Sequence, residues 1–84
     1  MPLFYAQSQE LAMIGSLSSC FRWAKASIDR DGNAVVKILK ARPQEKYARV
    51  IIEVTKDGWI GIRDGRLIAL SKLNKVATNG KKEK

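Results

Sequence analysis

The residues with the most chemistry to offer in this 84-residue chain are its cations. Sixteen Lys and Arg stand against eight Asp and Glu, giving a formal net charge of +8. The excess is segmental. Residues 21–49 carry eight cations against three carboxylates, residues 50–70 are balanced, and residues 71–84 carry five lysines against Glu83. Cations at this density raise the local potential and attract polyanions, above all nucleic acid. The strip Arg22, Lys25, Arg30, Lys37, Lys40 and Arg42 reads as a phosphate-tracking patch, and Arg49, Arg63, Arg66, Lys72 and Lys75 extend it. Its plain alternative is a solvated face on which Asp29, Asp31 and Glu45 are partial partners.

A second group combines aromatic and cationic residues. Alternation along residues 47–70 places Tyr47, Arg49, Ile51, Trp59, Arg63, Arg66, Ile68 and Leu70 on one sheet face. Aromatics interleaved with Arg suit base stacking and phosphate contact. The same face is apolar enough to be an interface instead. Tyr47, Ile51, Trp59, Ile68 and Leu70 would then lie under the N-terminal segment or a second copy of the chain. Trp23 lies off the main apolar stripe of its segment, at the core edge or as an anchor for a partner protein.

Catalytic constellations are missing. The chain has no histidine, so Ser-His-Asp and Cys-His sites cannot be assembled. Asp29, Asp31, Asp57 and Asp64 all sit in turn-like clusters, which account for them without acid–base work. Gly58, Gly61 and Gly65 match neither a P-loop nor a dinucleotide fingerprint. One cysteine, Cys20, rules out an intramolecular disulfide and the usual Cys/His zinc site. No cofactor or metal is expected. This cysteine usage fits a reducing, intracellular (cytoplasmic) setting, and no apolar run is long enough to span a bilayer.

The elements that must position these residues follow from periodicity. Apolar residues at 13-17-20-24 and 14-17-21-24-28 predict one amphipathic helix over residues 8–28, with Ser8 as its cap and Glu10 in its first turn. Residues 1–6 (MPLFYA) read as an apolar lid, and 29–33 (DRDGN) as a stop and turn. Residues 34–41 read as a strand ended by Arg42-Pro43. Strands then follow at 47–55, at 59–63 and after Asp64-Gly65. A three-residue loop, Lys56-Asp57-Gly58, is expected to pair Val54 with Ile60, and a two-residue Asp64-Gly65 loop to pair Ile62 with Leu67. Ser71 begins a short helical turn, and residues 78–84 read as a disordered basic tail.

The expected fold is therefore α+β, a single domain over 1–77. An N-terminal amphipathic helix packs on a three- to four-stranded antiparallel meander, and the chain is expected to form a homodimer. The expected function is a small non-enzymatic nucleic-acid-binding protein that contacts phosphates of DNA or RNA with low sequence specificity. The alternative is a protein-interaction module, of the kind of a small phage- or mobile-element regulator or inhibitor.

Overall fold

The computed structural model describes residues 3–8, 11–32, 35–42 and 44–73. Lys75, Glu10 and the tail 78–84 lie outside the described residues. The fold is α+β, with one helix against an antiparallel sheet whose strands follow the order β2-β1-β3-β4-β5, while β6 also pairs with β4. The strands are β1 (Leu3–Gln7), β2 (Ala12–Gly15), β3 (Val35–Ala41), β4 (Tyr47–Thr55), β5 (Gly58–Gly61) and β6 (Leu67–Ala69); the helix α1 spans Leu17–Asp31.

The N-terminal third departs most from expectation. β1 and β2 pair as an antiparallel hairpin, in place of the expected lid followed by helix. β1 is an interior strand, paired on one side with β2 (Ala6 opposite Met13) and on the other with β3 (Ala6 opposite Ile38). Ser8 closes the hairpin rather than capping a helix. Its amide donates to the Leu11 carbonyl at 2.8 Å, and its hydroxyl accepts from the Leu11 amide at 3.1 Å. The helix starts at Ser16, whose hydroxyl accepts the Ser19 amide at 3.1 Å, a cap of about 1 kcal/mol. It stops at Gly32, whose amide returns to the Ile28 carbonyl.

α1 lays Leu17, Cys20, Phe21, Ala24 and Ile28 on the sheet, the i, i+3, i+4, i+7 stripe of an amphipathic helix. They pack with Ala6, Met13, Val36, Ile38 and Val54 into one core cluster. Met13 fitted the helical spacing in the sequence, yet reaches this cluster from a strand. Cys20 is fully buried here, and burial pushes its thiol up from 9.0 to about 11, a neutral group at physiological pH. Its thiol therefore behaves as a small apolar side chain.

A second cluster occupies the opposite sheet face. Tyr5, Leu39, Ala41, Ala48 and Val50 form it, with Ile62, Ile68, Leu70 and Leu73 packed over them. Two faces are possible because β4 carries a bulge. Ile38 pairs with Ile52 but Leu39 pairs with Val50, leaving Ile51 as the extra residue. Val54 and Ile52 face the helix; beyond the bulge the alternation is reset, so Val50 and Ala48 point away from it. An uninterrupted period of two would have kept all four on one side.

The expected meander is replaced by an interrupted strand. Thr55 pairs with Gly58 across a Lys56-Asp57 turn, and Val54 opposes Trp59 rather than Ile60. Gly58 opens β5 at φ +139°, a conformation that L side chains rarely adopt. After Ile62, whose amide donates to the Ile51 carbonyl, the chain loops out over 63–65. It then rejoins the same edge of β4, where Val50 donates to the Arg66 carbonyl and Leu67 opposes Arg49. Asp64-Gly65 therefore marks an excursion along one edge, not a hairpin. Asp64 takes a positive φ of 56°, and Gly65 passes so close to β4 that a Cβ would overlap the Val50 carbonyl oxygen. A short 3-10 turn, Leu70–Lys72, follows β6.

Candidate functional site

The bulge decides where the charged side chains point. Lys40 lies between Leu39 and Ala41, which both enter the second cluster, so its side chain lies on the helix side of the sheet. Arg49 and Tyr47 flank Ala48 in the same way and share that side. Leu67 opposes Arg49, and Lys40 opposes Arg49 from the other strand. The helix does not cover this end of the sheet, and the outcome is a groove.

The groove has a volume of ~750 Å³. Its cationic lining is Lys40 and Arg42 from the end of β3, Lys46 from the following loop, and Arg49 from β4; Glu45 is the one carboxylate among them. Ile51 and Leu67 give it apolar surface, and Tyr47 is 54 % exposed along it. All four cations are exposed. Arg49 is the anchored one, donating from Nη1 to the Gly65 carbonyl at 2.9 Å. This bond ties the groove to the 63–65 excursion and leaves most of the guanidinium donors for other acceptors.

Lys40 and Arg49 are direct cross-strand neighbours of like charge, an arrangement that destabilises a sheet. Three positions away on the same strand pair, Lys37 opposes Glu53. There the charges are complementary, and the residues lie on the face away from the helix. An anion placed between Lys40 and Arg49 would turn the unfavourable pair into a favourable site.

The remaining candidate residues are dispersed. Arg22, Lys25 and Arg30 are exposed on α1, away from the groove lining; Arg63 and Arg66 are exposed on the 63–66 loop, and Lys72 on the 3-10 turn. The strip Arg22–Arg42 is thus divided among the helix surface and both sheet faces. Of the expected phosphate-contacting residues, the structure gathers Lys40, Arg42 and Arg49. Sequence reasoning missed Lys46 as a site residue. The available signal was its position between Arg42-Pro43 and Tyr47, on the loop joining the two charged strands.

The aromatic face is also divided. Tyr47, Ile51 and Trp59 lie on the helix side, whereas Ile68 and Leu70 belong to the opposite cluster and cover it from within the same chain. Trp59 meets Phe21 edge to face at 5.5 Å and is still 61 % exposed. Trp23 is half-buried against the first cluster.

Among the described residues, no three metal-ligating side chains come together, and no helix is long and apolar enough to cross a membrane. No protein-family model matches the chain, and comparison with curated proteins and with solved structures gives no significant match.

Proposed function

We propose that the chain is a small, non-enzymatic, intracellular nucleic-acid-binding protein that holds phosphates in the groove between β3, β4 and β6. The like-charged pair Lys40–Arg49 on adjacent strands carries this reading. Two cations held side by side at a stability cost make sense as an anion seat. Arg42 and Lys46 at the same groove and the overall charge of +8 support it. Recognition is of backbone rather than base edges, since flexible exposed cations meet phosphates without reading sequence. The test is a titration with labelled DNA and RNA at two salt concentrations. Micromolar or tighter binding that weakens steeply with salt is expected; absence of binding at low salt refutes the proposal.

A second reading is a protein-interaction module. Trp59 supports it: it meets Phe21 on the helix side of β5 and is still 61 % exposed, while Ile60, 59 % exposed, points to the opposite face. Trp is a typical anchor at protein interfaces. A stoichiometric protein partner retained after nuclease treatment, and lost in Trp59→Ala, would favour this reading over the first.

A further inference from the structure

Resting on the nucleic-acid reading, we infer that the groove takes a single strand, with one base stacked on Tyr47 and the adjoining phosphate seated between Arg49 and Lys40. Three observations converge on it. Among the described residues, Tyr47 is the only aromatic side chain of the groove lining, and over half of it is open. It lies two residues from Arg49 on the same strand face, a separation of about 6.6 Å. That distance is comparable to the step between successive nucleotides in an extended strand. Lys40 lies directly across from Arg49, so the phosphate seat has a cation on each side. Leu67 and Ile51 add apolar surface beside the ring.

The geometry selects against a duplex. The face of a tyrosine can stack only on an unpaired or splayed base, because a duplex already stacks both faces of each base internally. The groove is also concave, with the loop residues Arg42 and Lys46 along one side and Leu67 of β6 on another. A concave seat of ~750 Å³ suits a few nucleotides of one strand and not the broad convex surface of a double helix. Cations flanking an aromatic platform in a groove are the general means by which single strands are held without sequence preference.

Fluorescence anisotropy with a labelled pyrimidine single strand, and with a duplex of equal length, tests the inference on the full chain. The single strand is expected to bind at least tenfold more tightly. Tyr47→Leu should weaken single-strand binding about tenfold while leaving the salt slope unchanged, and Tyr47→Phe should retain wild-type affinity. Lys40→Gln should instead lower the salt slope for the single strand by about 0.7. Tyr47 is exposed, so both its variants are expected to melt with the wild type, and the Tyr47→Phe and Lys40→Gln results stand even if Tyr47→Leu does not fold. Equal or tighter duplex binding, with Tyr47→Leu without effect, overturns the single-strand inference but leaves the proposed function in place. Binding of neither nucleic acid overturns both.

Discussion

β3 and β4 present two charged pairs within one ladder, and they are opposites. Lys37 faces Glu53 on the side of the sheet away from the helix, and Lys40 faces Arg49 on the helix side. The first pair is what a sheet surface acquires when selected for stability. The second costs stability and lies at a groove with two more cations and an exposed tyrosine. Between the two pairs lies the Ile51 bulge. It sends the downstream half of β4 under the helix and the upstream half under residues 62–73, so each face of the sheet is covered at a different end. The helix side is left open where the charges are alike. One helix and one C-terminal segment thus stabilise a small sheet diagonally, and one corner of the helix side is left uncovered.

The largest effects are expected in the cores on either side of the bulge. Ile38 and Leu39 are adjacent, both fully buried, and point to opposite clusters. Ile38→Ala and Leu39→Ala should each cost about 3 kcal/mol in urea unfolding. If Leu39→Ala costs under about 1 kcal/mol, the second cluster is not a core and the two-sided account fails.

Gly65→Ala comes next. The added methyl meets the Val50 carbonyl, so the 63–65 excursion must shift away from β4, at about 2 kcal/mol. Because the Gly65 carbonyl holds Arg49, oligonucleotide binding should weaken in the same variant. A Gly65→Ala protein with wild-type stability would show that β6 does not pack as described.

Alkaline titration gives an effect of similar size. The Cys20 thiol is raised from 9.0 to about 11 in the fold. The folded state therefore retains a proton that the unfolded chain releases first. The stability due to this thiol is complete below pH 9 and is lost as pH rises through about 11, about 3 kcal/mol in all. In Cys20→Ala that part of the pH dependence should vanish. Native Cys20 should also resist thiol reagents at neutral pH; rapid labelling would place it outside the core.

The smallest effect is the sharpest in sign. Lys37→Gln should lower stability and Lys40→Gln should raise it, each by about 0.5 kcal/mol. Equal signs would remove the contrast on which the site rests.

Much of the sheet was legible in the sequence. The strands at 35–41 and 47–55 follow from β-branched alternation and turn residues, and the helix stripe from Leu17 to Ile28 follows from its spacing. The N-terminal hairpin was not, because Ser8–Leu11 contains no Gly, Pro or Asn-Gly to mark a turn, and Ser8 with Glu10 imitates a helix start. The bulge was hidden inside the run Val50-Ile51-Ile52, where every residue is apolar and no alternation can reveal a skipped step. Missing it assigned Ile68 and Leu70 to the face of Tyr47 and Trp59. The wrong turn frame at Lys56–Gly58 moved Trp59 and Ile60 to each other's side. Charge could be counted in the sequence, but its grouping could not. Lys40 and Arg49 become neighbours only through the register of β3 on β4.

The most direct test of the account asks whether the groove binds, or merely the total charge. Affinity for a single-stranded oligonucleotide is measured at one low salt concentration for two variants of equal net charge, Lys40→Gln with Lys46→Gln in the groove and Arg22→Gln with Lys25→Gln on the helix. The groove variant should lose about tenfold or more and the helix variant no more than about twofold. Equal losses would contradict the assignment of the groove as the binding site.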